Sequence, residues 1–381
     1  MESTPDLHTL VIGRDAMACR FELVFNAGEV PDATELAVEA LDLVDEIESR
    51  ITIYRDTSEL AQINLAQTNW AQINLAQTNA AAMPDHLHPE GQPSAWQPVA
   101  PDLFELLLHA RDLHERTAGG FDIAAGALVR TWGFLERQGR TPSPEQLAAA
   151  RRSAGMRWVE FDRQGTRLRF TRPGVELNLG AIGKGWAIDR VIDRLRQAGA
   201  ASVLVHGGSS SVKAIGIQGP DVPGRSGWRV GLRHPLRPGR RLATITLENQ
   251  ALGTSGSGTQ FFVDRGRKLG HILDPRSGVP AEGVLSATVV TPSAADADAL
   301  ATALYVLGPA GMERIVASGK GLGDGGRDVP VGAILVVPGR TSGAVRLLVA
   351  NLDADPGAKP GGRVLAVEPG EGVEVERVAV G

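Results

Sequence analysis

The segment Glu176 to Val191, ELNLGAIGKGWAIDRV, constrains this chain more than any other. An apolar strand ends at Leu179, and Gly180, Gly183 and Gly185 then surround Lys184 at the mouth of a helix. Glycines so placed let backbone come close to other backbone or to a ligand. A helix N-terminus offers unpaired amide donors and the positive end of the helix dipole, so phosphate is a natural guest, and Lys184 adds a full charge. The spacing is not that of a Walker loop, because Gly185 stands where that motif needs Ser or Thr. An ordinary glycine-rich turn ahead of a helix is the other reading of the same residues, and both stay open.

Composition narrows the classes. The 46 glycines and 23 prolines among 381 residues commit much of the chain to turns, while a 43% hydrophobic content supplies a packed core. A net charge of −5 excludes a generally basic nucleic-acid binder but leaves room for a local basic pocket. Cys19 is the sole cysteine, which excludes an internal disulfide and a cysteine-cluster metal site. No apolar run approaches the roughly 18 residues of a membrane span. The start, MESTPDLHTLVIGRDAMACRFELVF, lacks the basic and apolar regions of a signal peptide, and no apolar run precedes Cys19. The expectation is a soluble, cytoplasmic protein.

Periodicity predicts a strand pair over residues 9–25 and helices over Pro31–Ser49, Asp102–Thr117, Pro144–Ala154, Gly183–Gln197 and Ala294–Leu307. Strands are expected at Trp158–Phe161, Arg167–Phe170, Ser202–His206, Trp228–Leu232, Ala243–Leu247, Gln260–Val263 and Val284–Val290, then in a tail at Gly332–Val337, Ala344–Ala350 and Arg363–Val367. Helices and strands mix without a βαβ rhythm, which favours α+β. AQINLAQTNW (61–70) is repeated as AQINLAQTNA (71–80), a local duplication that runs into a proline-rich stretch and reads as an exposed segment, 61–98.

Two further segments carry candidate chemistry. In DADALATALYVLG, Asp298 and Thr302 are four residues apart and share one helix face, an arrangement that suits a hard cation such as Mg²⁺. An aspartate-rich first helical turn explains the same residues through the dipole alone. In GHILDPRSGVP, His271 ends a strand and Asp274–Gly278 is a turn sequence; His271 is a candidate general base or nucleotide contact, or a structural histidine. Gly321–Gly326 fits G-x-G-x-x-G but follows a helix rather than a strand, His86 and His88 lack partners at zinc spacing, and Ser209–Ser211 lie in no nucleophile elbow.

Taken in order, the segments resemble the ApbE family of flavin transferases over roughly residues 9–310. TIYRDTSELAQIN (52–64), GGFDIAAGALVRTWGF (119–134), NLGAIGKGWAIDRV (178–191), HGGSS (206–210), LGTSGSGTQFF, LGHILDPRSG and ADALATALYVLG are collinear with the family's blocks. The resemblance implies an α+β, ApbE-like and T-fold-related fold with mixed or antiparallel sheets, one interwoven catalytic unit over 1–310 and a β-rich extension over 311–381 packed on it. It implies Mg²⁺-dependent cleavage of FAD, with FMN passed to a Thr or Ser of an acceptor protein and AMP released. No nucleic acid or membrane span enters. Met17, Tyr54, Gly120, Phe121, Asp122, Asn178 and Ile272 are then the flavin contacts, Lys184 meets phosphate, and Ala181, Asp298 and Thr302 hold the metal. His271 deprotonates the acceptor hydroxyl. The chain departs from the family pattern at Asn178, where Asp is usual, and at Cys19, Ser209 and Ser257-Gly258. The alternatives are an FAD pyrophosphatase, as the resemblance implies for some members of the family, and a catalytically silent flavin binder, for which Asn178 and Ser257 speak.

Overall fold

The computed structural model describes residues 8–66, 93–219, 227–256, 258, 260–320, 327–352, 365–367 and 372–379. The duplicated stretch beyond residue 66, His86, His88, Ser257 and the Gly321–Gly326 pattern lie outside these. The architecture is α+β, and the chain divides into two compact units, neither continuous in sequence. The first takes residues 1–48, 182–258 and 282–381; the second takes 49–181 and 259–281.

The first unit is built on a mixed nine-stranded sheet. Its strands are β1 (Thr9–Ala16), β2 (Cys19–Asn26), β6 (Val203–Gly207), β7 (Ser211–Ile215), β10 (Gln250–Gly256), β13 (Ser286–Thr291), β14 (Gly332–Pro338), β15 (Val345–Ala350) and β17 (Val373–Arg377), in that spatial order. All neighbours are antiparallel except β15 and β17. The tail beyond residue 310 therefore supplies three strands of this sheet rather than a separate layer. Apolar side chains on one sheet face, among them Phe21, Leu23 and Val203, form one core with Leu41 and Val44 of α1 (Ala33–Ile51) and Ile188 and Val191 of α6 (Gly183–Gln197). On the other face Leu204, Val212 and Val290 pack with Trp228 and Leu232 of β8 (Trp228–Arg233) and Ile245 of β9 (Arg241–Leu247). β16 (Leu365–Val367) completes that smaller sheet.

A third helix of this unit, α7 (Ala294–Leu307), is nearly all buried and reads as an alanine-rich run. It is seated by two glycines. A Cβ at Gly185 would stand 2.1 Å from the Ala294 carbonyl oxygen, and one at Gly253 would stand 2.4 Å from the Ala297 carbonyl carbon. Either contact is impossible for a real side chain, so α6 and β10 need glycine there for α7 to approach. α8 (Met312–Ala317) follows.

In the second unit, α2 (59–66), α3 (Pro101–Arg116), α4 (Gly126–Thr131) and α5 (Pro144–Arg152) accompany two small sheets, β3 (Gln97–Pro98) with β5 (Arg167–Phe170) and β4 (Val159–Asp162), and β11 (Phe261–Asp264) with β12 (Arg267–Gly270). Ser143 caps α5 in a full capping box with Gln146, and Pro144 occupies its first turn. Leu128, Trp132, Phe134, Leu269 and Leu273 form the core that joins α4 to the β12 region.

Candidate functional site

Buried charge in the first unit gathers at α7, around Asp298 and Asp189. Asp298 is 8% exposed and fully ordered by two donors, the Gly185 N–H at 2.9 Å and the Ser211 hydroxyl at 2.8 Å. Both reach the same oxygen, Oδ2, so Oδ1 receives no hydrogen bond among the described residues. Burial pushes the Asp298 carboxyl up to about 6, against the opposing pull of the Lys184 charge and the two donors. Thr302, one turn on, donates its hydroxyl to the Asp298 carbonyl at 3.1 Å and lies 3.0 Å from the Ser255 hydroxyl. A carboxylate oxygen without a donor and a hydroxyl on the same helix face are hard oxygen donors. They fit a cation that fills its other positions with water and phosphate oxygens. No group of three or more His, Cys, Asp or Glu side chains forms a metal cluster among the described residues.

Lys184 sits in the first turn of α6, half-buried, and its ammonium makes no ion pair or hydrogen bond among the described residues. Its charge reaches Asp298 and also Cys19, whose thiol burial pushes up while Lys184 draws it down. Cys19 follows the two-residue turn Met17-Ala18 of the β1–β2 hairpin. Both turn residues have positive φ, 48° and 57°, a conformation glycine or asparagine would adopt at less cost. The Met17 N–H is held by Glu48 at 2.7 Å, which fixes this strained turn.

Behind the Asp298 turn lies a buried ion pair that sequence reasoning missed. Asp189 of α6 accepts from Lys213 Nζ at 2.6 Å, from the Ser293 hydroxyl at 2.9 Å and from the Ala294 and Ala295 N–H groups at 3.0 Å each. Four donors on one carboxylate cap α7 and complement its dipole. The available signal was Lys213, a lone charge inside the apolar strand SVKAI.

The expected flavin contacts of the second unit take varied places. Tyr54 is 69% exposed, in the bend after α1. Gly120 and Phe121 are buried, Phe121 at 1%. The Asp122 carboxylate serves its own loop: Oδ1 accepts the Ala124 N–H at 2.8 Å, and Oδ2 accepts the Met156 N–H at 3.2 Å and lies 3.2 Å from His114 Nδ1. Asn178 Oδ1 accepts the Gly180 N–H at 2.8 Å, an acceptor role an aspartate would fill equally. Ala181 ends this unit's long segment, four residues ahead of Gly185 in the chain. Ile272 is buried, and His271 Nδ1 lies 3.0 Å from the Gln260 carbonyl. A carbonyl can only accept, so Nδ1 carries the proton and Nε2 the lone pair of the neutral ring.

His114 gives a pH test of this unit. Burial depresses its pKa, but the hydrogen bond and charge of Asp122 outweigh burial and raise it above 6.5. A raised histidine pKa adds stability that is complete below the unfolded value and is lost as pH rises through the folded one. The melting-temperature difference between the parent and His114→Asn is therefore expected to be largest near about pH 5.5 and to shrink by about pH 8.5, worth no more than about 1 kcal/mol for this partly exposed pair. A difference constant across that range would remove the ion pair from the account.

The chain as a whole is similar to known proteins. A profile of the ApbE family matches residues 17–323. A protein of Haemophilus influenzae described as FAD:protein FMN transferase is 31% identical over 218 residues, 55% of this chain and 61% of that protein. One of Rhodobacter capsulatus with the same description is 36% identical over 220 residues, 58% of this chain and 41% of that protein. The chain thus spans about three fifths and two fifths of these curated relatives. Among solved structures, the ApbE protein of Thermotoga maritima has a TM-score of 0.70 at 25% identity, covering 89% of this chain and 96% of that one. The flavin transferase ApbE of Vibrio cholerae has a TM-score of 0.66 at 25% identity, covering 90% and 97%.

Proposed function

Since this chain belongs to the ApbE family, we propose that it is an FAD:protein FMN transferase that cleaves FAD with Mg²⁺ and passes FMN to a Thr or Ser of an acceptor protein. The observation that carries this reading is the Lys184–Asp298–Thr302 group: a half-buried ammonium and an oriented carboxylate oxygen, neither with a hydrogen-bond partner among the described residues. Asp298 Oδ1 and Thr302 Oγ1, with the Ala181 carbonyl as a further ligand, are assigned to Mg²⁺. Bound there, Mg²⁺ would polarise the pyrophosphate and offset charge on the departing AMP. Gly185 and Ser211 keep the Asp298 carboxylate from turning away, and Lys184 meets phosphate as a point charge.

His271 is assigned to the acceptor. Its Nε2 takes the proton as the acceptor oxygen bonds to the FMN phosphorus; the bond from that phosphorus to the oxygen bridging to AMP breaks, and AMP leaves with the electron pair. Tyr54 offers an exposed ring for offset stacking on the isoalloxazine. Met17, Gly120, Phe121, Asp122, Asn178 and Ile272 are assigned to shaping the flavin position. For Gly120, Phe121 and Asp122 the role is indirect, through the loop whose backbone Asp122 holds. The same exposure of Tyr54 is what favours the hydrolytic alternative, in which water replaces the acceptor hydroxyl.

Incubation with FAD and Mg²⁺, with and without a purified flavinylation-target domain, separates these. AMP release together with covalent flavin fluorescence on the target in a denaturing gel is the expected result. AMP without covalent flavin favours hydrolysis, and tight FAD binding without AMP removes both enzyme readings.

A further inference from the structure

The β11–β12 hairpin of the second unit has one face explained by packing and one that is not. On its inner face the Phe262 ring lies 6.3 Å from Trp132 and 5.8 Å from Phe134, and Leu269 is buried in the same cluster. Asp264 accepts the Thr141 hydroxyl at 2.8 Å, which ties the strand to the loop after α4. The outer face alternates with this one: Phe261 is 45% exposed and Val263 64%, opposite Gly270 and Lys268 across the strand pair. Lys268 Nζ stands 4.0 Å from the centre of the Phe261 ring. Two large apolar side chains side by side on an exposed strand face are an unfavourable display in water, and no third strand covers either edge of the sheet among the described residues.

Charge and position indicate the occupant. The turn and its flank carry three cations, Arg265, Arg267 and Lys268, against one acid, Asp264, whose carboxylate accepts the Thr141 hydroxyl. The other end of the hairpin closes on His271: the Gln260 carbonyl accepts both the His271 N–H, at 3.2 Å, and Nδ1–H, at 3.0 Å. The hairpin is thus basic at its tip, apolar along its outer face, and bonded at its base to the histidine assigned to the acceptor hydroxyl. We propose that this hairpin docks the acceptor protein: an extended acceptor segment adds as a further strand, with acidic residues at the tip, apolar residues at alternate positions beside Phe261 and Val263, and its hydroxyl residue at the His271 end. The proposal rests on the FMN-transfer reading given above. Strand addition supplies affinity through main-chain bonds, and the alternating side chains supply specificity.

The probe is a fluorescein-labelled peptide, Asp-Glu-Glu-Val-Gln-Val-Gln-Val-Thr-Gly, titrated against the full chain and read by fluorescence anisotropy. Binding is expected to weaken about tenfold or more when the valines become serines, when the acids become lysines, or when the protein carries Val263→Asp. Lys268→Glu should weaken the acidic peptide and strengthen the lysine peptide, a reversal that a damaged fold cannot produce. Both positions are exposed, and unchanged melting temperatures verify the variants. Equal affinity for the three peptides, no binding of any, or undiminished binding by both variants overturns the proposal. Covalent flavin on a purified flavinylation-target domain, incubated with FAD and Mg²⁺, is read in parallel. Flavin transfer without peptide binding rejects the docking surface alone, whereas peptide binding without flavin transfer rejects the FMN-transfer reading alone.

Discussion

Replacing Asp298 by asparagine is expected to lower Mg²⁺-dependent AMP release about a thousandfold or more while making the metal-free protein more stable. The first effect follows from losing the charged oxygen that the helix face presents to the cation. The second follows from burial. The carboxyl ionises at about 6 in the folded state against 3.8 ordinarily, so its charged form costs the metal-free fold about 3 kcal/mol at neutral pH. The sign is that of a carboxylate shifted upward: between these two values the folded state holds the proton longer, and stability falls as pH rises. Asp298→Asn removes that slope and keeps an acceptor for Gly185 and Ser211, so its melting temperature at neutral pH should rise by a few degrees. Saturating Mg²⁺ should stabilise the parent and not the variant. Unchanged turnover would take Asp298 out of the metal site, and a lower melting temperature would contradict the burial cost.

The second large effect is at Asp189 and Lys213. Each is less than a tenth exposed, so removing either leaves the other as an uncompensated buried charge. Asp189→Ala and Lys213→Met should each destabilise by about 3–5 kcal/mol. Asp189→Ala also frees the Ala294 and Ala295 N–H groups and the Ser293 hydroxyl at the start of α7. The double variant Asp189→Ala/Lys213→Met should lose less than the sum of the two single losses, because no lone buried charge remains in it. Denaturant unfolding of the four proteins in the cycle measures this. Additive losses would mean that the pair does not interact across its 2.6 Å contact.

The sequence discloses helices better than it discloses the groups that aim them. α6 and α7 run from the residues read as their starts to those read as their ends, because glycine-rich entry, helical periodicity and the Ser293 cap agree. The β1–β2 and β4–β5 hairpins lie within a residue of where alternation puts them. β7 and β10 escape notice for opposite reasons. β7 is buried on both faces yet carries Ser211 and Lys213, whose partners come from α7 and α6. β10, QALGTSG, reads as a loop because its glycine is there to admit α7. Asp298 and Thr302 were visible as a helix-face pair, but Ser211, Gly185 and Ser255, which orient them, are joined to them only by tertiary folding. Asp122, a flavin contact by the family resemblance alone, accepts the Ala124 and Met156 N–H groups, partners that no residue spacing discloses.

The order of the nine-stranded sheet has a consequence for how the molecule opens. β1 and β17 form its two margins, while β6, β7, β10 and β13, against which α6 and α7 rest, lie in the interior of the sheet. Amide exchange should therefore be graded from the margins inward, fastest in the terminal strands and slowest beneath Lys184 and Asp298. Lys184, Asp298 and Thr302 would then ride on the last part of the first unit to come apart, and fraying of either margin would leave them in place.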